Sequence, residues 1–293
     1  MGMKKQLVNI KKVKYLNENI SSTIVNSGKQ LSDRLMTQQL PQVLISKQIE
    51  DYSPLNDMER HRLRELFDST QVFAYLFSRN HKHIVHIPDG SVHQRMDQVY
   101  GRRGDRNIQH VITMCRSLST FNYLIQSDQL AIVKYGHSDL LNLRFSYNYH
   151  MNAECCEIAV DKNTVLLFHY NLMKPNSESV YTARINYHHY FNQIWDQDYI
   201  ILYLLMAITI FNPSRPHITH QSVIRCERQL YIHLLHRYLK LKYRRETHTM
   251  IAQYMTALSL LKQMNDIFIE YSHQLYDKYY GPLMREIRDF SLK

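Results

Sequence analysis

The chain has 293 residues, 44% hydrophobic and 11% aromatic, enough to bury one sizeable core and too many for a disordered polymer. Lys and Arg exceed Asp and Glu by 36 to 26, a dispersed excess that permits weak attraction to nucleic acid or acidic lipid and identifies neither. With only seven Gly and seven Pro the composition argues against a turn-rich β-sandwich, and no apolar stretch reaches the length of a membrane span.

Residues 1–52 are rich in Lys, Gln, Asn and Ser, with broken periodicity, and read as a basic polar tail carrying one short helix. The Lys-rich start lacks the apolar core of a signal peptide, which points to an intracellular protein. Basic clusters at Lys4, Lys5, Lys11, Lys12 and Lys14, and again at 240–245, read as solvated surface. A domain over 53–293 is expected to open at "SPLNDMERHRLRELFDSTQVFAYLF", where Ser-Pro and Asn-Asp cap signals precede Leu63, Leu66 and Phe67 at helical spacing. "HKHIVHIPDGSVHQR" reads as a polar connection. Its His81, His83 and His86 lack accompanying carboxylates or cysteines and predict no metal site.

Helical pattern resumes around Arg106 and runs, with a break near "SLSTF", through Tyr149. The segment "YGRRGDRN" (100–107), with two glycines and three arginines, predicts a frayed or late helix start, since each internal glycine costs about 1 kcal/mol relative to alanine. "EIAVDKNTVLLF" predicts a hairpin turning at Asp161-Lys162-Asn163. Helices follow at 179–195, 197–211, 219–243, 247–277 and 282–290, with "FNPSRP" breaking the series and no internal repeat. Around 138–145 apolar residues take up most of the helix circumference, which demands burial between two other layers. The expected fold is all-α, a three-layer antiparallel sandwich of about 11–12 helices with one small β-hairpin. Cys115, Cys155, Cys156 and Cys226 form no C-x-x-C pair, so free thiols are expected rather than zinc or disulfides.

Phe121, Leu124, Asp128, Gln129, Ile132, Val133 and Lys134 resemble the F-x-x-L-x-x-x-D-Q-x-x-L-L-K signature of nuclear receptor ligand-binding domains, with conservative changes at the paired leucines. "LLMAITIFNPSRP" (204–216) is similar to the segment L-L-x-A-I-x-x-x-S-P-D-R-P of that family, above all in its vitamin D, pregnane X and arthropod xenobiotic-sensing receptor branch. "PLMREI" (282–287) looks like the family's short activation helix. These motifs span roughly residues 53–290.

Ile112 and Arg116 lie four apart, as do Leu130 and Lys134, so each pair shares one helix face and the two faces can form an apolar groove with basic rims. A short leucine-bearing helix would fit there, its C-terminal carbonyls toward the cations. Glu286 would hold the other end, against the amide hydrogens of the peptide's first turn. The resemblance implies that Lys134 and Glu286 form the charge clamp of a coactivator groove, with Arg116 where a lysine is usual and Leu283 on the lid. The alternative is that these are solvated surface charges.

Arg144, ten residues past the signature lysine, cannot lose its proton at ordinary pH, so its burial demands an anion or several acceptors. The resemblance implies that it holds a polar group of a small hydrophobic ligand, with Ser138, Leu141, Asn142, Phe145 and Asn148 along the same side. The alternative is satisfaction by the protein alone. Other walls are expected from Asn107, Val111, Met114, Phe268, Ser272 and Met284. The arginines of 100–107 suit either an anionic ligand or a pocket filled by its own side chains; His273 and Arg288 also depart from a tight lipid pocket. Asp139 and Arg215 resemble the salt bridge of receptors that heterodimerise with the retinoid X receptor, the dimer surface then being helices 219–243 and 247–277. An ordinary structural bridge is the alternative.

The eight-cysteine, two-zinc DNA-binding module of nuclear receptors is missing from the sequence. Either the chain is a fragment or it is a receptor-like protein made of the ligand-binding part alone, which the initial Met and tail favour. No direct DNA binding and no membrane association are expected. No P-loop, H-E-x-x-H, nucleophile elbow or paired carboxylates argue for catalysis, and no cofactor is implied. The expectations are therefore a ligand-regulated switch in the nucleus, with the cytoplasm also open, or else a ligand sink or dominant-negative partner without transcriptional output.

Overall fold

The computed structural model describes residues 55–76, 83–86, 92–159, 164–174, 177–272 and 281–289. The expected tail, His81, the hairpin tip 161–163 and His273 lie outside them. Nine α-helices are present among the described residues: α1 (Asp57–Thr70), α2 (Val92–Arg116), α3 (Ser119–Tyr123), α4 (Gln126–Phe145), α5 (Glu178–Ile194), α6 (Tyr199–Ile210), α7 (Gln221–Tyr243), α8 (Thr247–Ser272) and α9 (Pro282–Asp289).

Local chemistry sets the helix starts. Asn56 and Glu59 form a reciprocal capping box on α1, with Glu59 N donating to Asn56 Oδ1 at 2.8 Å and Asn56 N donating to Glu59 Oε2 at 2.9 Å. Glu59 is buried and also receives Arg237 Nε of α7 at 2.9 Å. Burial pushes its carboxyl up, but the Arg237 and Asn56 hydrogen bonds outweigh this and hold it below the usual range. Asp198 caps α6 by accepting Ile200 N at 2.8 Å and Ile201 N at 3.3 Å.

The core explains the layering. Every residue of α6 from Ile200 to Ile210 is buried, as is α4 over Ala131–Lys134 and Asp139–Arg144, so neither helix has a solvent face to spare. They pack against each other, with α1 and α2 to one side and α5 and α8, which pack closely together, to the other. α7 joins α6 to α8, giving the expected helical sandwich.

The signature residues hold this middle layer in place. Asp128, fully buried, accepts Thr219 N at 2.7 Å, His220 N at 3.0 Å and His220 Nδ1 at 2.9 Å, so it ties the start of α4 to the turn ahead of α7. Gln129 Nε2 donates to Phe121 O and Leu124 O, closing the turn between α3 and α4. Burial raises the Asp128 carboxyl, and the two backbone donors overcome it and lower the pKa.

Two expectations are corrected. The hairpin β3 (Cys155–Ala159) and β4 (Thr164–His169) sits in a four-stranded sheet of order β1-β4-β3-β2, where β2 is Tyr149–His150 and β1 is His83–His86, parallel to β4. The segment read as a polar connection thus contributes an edge strand, its β-branched Ile84 and Val85 opposite Val165 and Leu166. The helix expected to resume near Arg106 already runs from Val92. The glycines are tolerated because tertiary contact needs one of them: a Cβ on Gly104 would stand 2.9 Å from Met284 Cε of α9.

Candidate functional site

The C-terminal helix α9 packs on α2. The same "GRRGDRN" stretch that argued for fraying provides its seat. Asp105 Oδ1 accepts Met284 N at 3.0 Å, so a carboxylate caps the positive end of α9, and a Cβ on Gly281 would overlap that carboxylate. Leu283, Met284 and Ile287 are half-buried, while Arg285 and Glu286 are exposed. Asp105 was not singled out from the sequence; its position one residue after a glycine inside a helix was the available signal.

Around the expected groove, Leu130 is 51% exposed, Ile112 is half-buried and Arg116 is exposed. Lys134 departs from a simple rim charge, being 7% exposed with its amine 5.0 Å from the Tyr135 ring centroid. Burial lowers its pKa, and the negative charge of Glu286 opposes that shift, so the two ends of the expected clamp sense one another.

Inside, Asn107, Val111 and Met114 of α2 are buried, and Asn107 Oδ1 accepts no hydrogen bond. Leu141 is buried, and Phe145 and Asn148 are half-buried. Arg144 is 2% exposed, its guanidinium 5.0 Å from both the Phe73 and the Phe145 ring centroids, and it has further polar or ring contacts beyond these. Ser138 and Asn142 turn elsewhere. Asn142 Nδ2 donates to Asn265 Oδ1 of α8 at 2.6 Å, Ser138 Oγ approaches the same oxygen at 3.5 Å, and Asn265 Nδ2 donates to Asp139 Oδ1 at 2.5 Å. Asp139 Oδ2 pairs with Arg215 Nη2 at 2.5 Å, and that nitrogen also reaches Thr209 O at 3.2 Å. This buried network sews α4 to α8 and to the turn after α6. Phe268 and Met284 are half-buried, and the side chain of Ser272 lies outside the described ones.

A further buried cation escaped the sequence reading. Arg184 of α5 is 3% exposed, with its guanidinium 4.6 Å from the Phe268 ring centroid and 5.6 Å from that of Tyr170. Its spacing from Val180, Tyr187, His188 and Phe191, all buried, was the available signal.

Cys115, Cys155 and Cys156 are buried free thiols whose pKa burial pushes up to about 12, so none is primed as a nucleophile. Among the described residues no cluster of three or more His, Cys, Asp or Glu could hold a metal, and no helix is long and apolar enough to cross a membrane.

No family model matches the chain. It is similar to the nuclear hormone receptor HR96 of Drosophila melanogaster, 25% identical over 183 residues, covering 62% of this chain and 25% of that protein. The chain thus aligns with about a quarter of the length of that relative. This similarity supports a nuclear receptor ligand-binding domain, and the helical sandwich with its small sheet is consistent with that fold.

Proposed function

We propose that the chain is a ligand-regulated switch of the nuclear receptor type, of the vitamin D, pregnane X and xenobiotic-sensing branch, acting in the nucleus. A small hydrophobic ligand occupies the interior walled by Val111, Met114, Leu141, Phe145, Phe268 and Met284, with Arg144 and Asn107 meeting its polar groups. By contacting α9 from beneath, it favours the docked lid over other positions to the extent that it binds that state better. The docked lid completes a groove for a leucine-motif coactivator helix between Lys134 and Glu286. The Asp139–Arg215 bridge steadies the face through which a retinoid X receptor-type partner pairs along α7 and α8, and gene control acts through that partner.

The observation that carries this reading is the seat of α9 on α2, capped by Asp105, with Glu286 close enough to influence the Lys134 amine. The test is binding of a leucine-motif peptide with and without hydrophobic ligands. Addition of a ligand should raise peptide affinity, and Glu286→Ala should lower it about tenfold, in line with loss of a charged hydrogen bond. Binding unaffected by Glu286→Ala removes the clamp.

The burial of Lys134 favours a second reading, a ligand sink or dominant-negative partner without coactivator output, because an amine covered by its own neighbours is less accessible to a peptide than an exposed one. No peptide binding under any ligand condition would select it.

A further inference from the structure

The corner where α5 meets α8 and the sheet holds an unusual concentration of unsatisfied polar atoms. Eleven buried side-chain nitrogen or oxygen atoms among the described residues lack a hydrogen-bond partner, and four of them, Tyr149 Oη, Arg184 Nε, His188 Nδ1 and His189 Nε2, belong to this one cluster. The rings are in contact: Tyr149 stacks on His188 at 4.6 Å and on Tyr170 at 5.5 Å, and Tyr170 Oη meets His188 Nε2 at 3.0 Å. Native interiors leave few such groups, and a cluster of them asks for something that binds there.

Arg184 states what that something is. Aromatic faces satisfy the flat sides of a guanidinium, but its five N–H donors point outward in the plane and need acceptors. No carboxylate of the described residues pairs with it, although Arg62, Arg215 and Arg237 elsewhere in the fold all have theirs. A buried cation without an anion is strongly unfavourable, and the protein has left this one in place 3% exposed. His188 cannot take the role, because burial, and after it the charge of Arg184, keeps it neutral. Phe145, over which Arg144 stacks, packs against the same apolar cluster that contains Tyr170. Arg144 therefore borders this corner too.

From this geometry we infer that Arg184 is a ligand anchor and that the ligand is an organic acid, an apolar body ending in a carboxylate or similar oxyanion received by the Arg184 fork. The inference rests on the proposed ligand-binding interior and narrows its occupant to a chemical class. The aromatic and aliphatic walls take the body, and the unpartnered Tyr149 hydroxyl and the ring nitrogens of His188 and His189 lie beside the head.

Two probes of equal length, dodecanoic acid and 1-dodecanol, separate the two claims when titrated into the full chain at neutral pH. The wild type should prefer the acid by about tenfold or more, the scale of a charge-assisted hydrogen bond. Arg184→Met should abolish that preference, weakening the acid about tenfold and the alcohol no more than about twofold. Its melting temperature without probe should rise, because an apolar isostere replaces an unpaired cation. Equal binding of both probes by the wild type, or a preference that survives Arg184→Met, overturns the inference and leaves the hydrophobic interior standing. Binding of neither probe overturns both. A lower melting temperature with unchanged acid binding marks a packing role and also overturns it. Should Arg184→Met not fold, Arg184→Lys keeps the charge but loses the fork, and an undiminished preference for the acid there is equally fatal.

Discussion

Arg215 and Arg184 are both buried guanidiniums near α8: Arg184 lies over Phe268, and the carboxylate that pairs with Arg215 is bound three residues earlier by Asn265. Around Arg215 the protein supplies the counter-charge and leaves only Nε without an acceptor: Asp139 is the anion, Thr209 O a further acceptor, and Asn265 orients the carboxylate. Around Arg184 it supplies only ring faces. The first arrangement holds its counter-charge within the fold and makes structure; the second is open, a buried charge with no anion among the described residues. Such breaches concentrate at functional sites, since stability alone would have removed them.

The sharpest way to break this contrast is to open the closed corner. Asp139→Ala leaves Arg215 buried without its anion and should cost about 3–5 kcal/mol, read as a lower urea midpoint at unchanged slope. A loss below about 1 kcal/mol would mean that the Arg215 corner is as open as the other. The next effect is one of pH and belongs to the open corner. His188 is held neutral in the fold, with its pKa depressed well below 6.5, so the unfolded chain binds the extra proton first. Stability is full above pH 6.5 and falls as the pH drops below it, by up to about 1.4 kcal/mol per unit for this group. His188→Gln should flatten that limb in a series of urea midpoints, with His137 and His236, both also lowered by burial, retaining part of the slope. Asp128 and Glu59, held low by their donors, act in the opposite region: their stabilisation is present above the ordinary carboxylate range and is lost as pH falls through their lowered folded values. The smallest effect concerns the lid. Asp105→Ala removes the cap of α9 and should weaken its docking by about 1 kcal/mol, seen as faster proteolysis near 281 with little change in global melting. An equal fall in global melting would show that α9 belongs to the closed core rather than to a separable lid.

Much of the architecture was legible from local pattern. The spacing of Leu63 and Leu66, the all-round apolar character of α4 over 138–145, and the break at "FNPSRP" after α6 each reported an element within a few residues of where it lies. Resemblance added the signature residues Asp128 and Gln129, and the structure gives their physical task, the capping of one turn and the closing of another. The site was legible less evenly. Ser138 and Asn142 look like pocket residues by position, yet their partner Asn265 lies 127 and 123 residues away. Arg144 stood out because its neighbours were apolar, whereas Arg184, just as buried, sat among Tyr and His that disguised an interior face as an ordinary one.

By itself the sequence determined most of the helices, the cap of the first and the one that had to be wrapped on every side. These follow from periodicity and from donors and acceptors three or four residues apart. Only the tertiary structure decided that α2 runs unbroken through its glycines, that Asp105 caps a helix 179 residues onward, and that one interior arginine receives its counter-charge while another does not. Those outcomes depend on which distant surfaces meet: a penalty for glycine or for an unpaired charge is set by the chain, but what offsets it is set by the neighbour brought alongside.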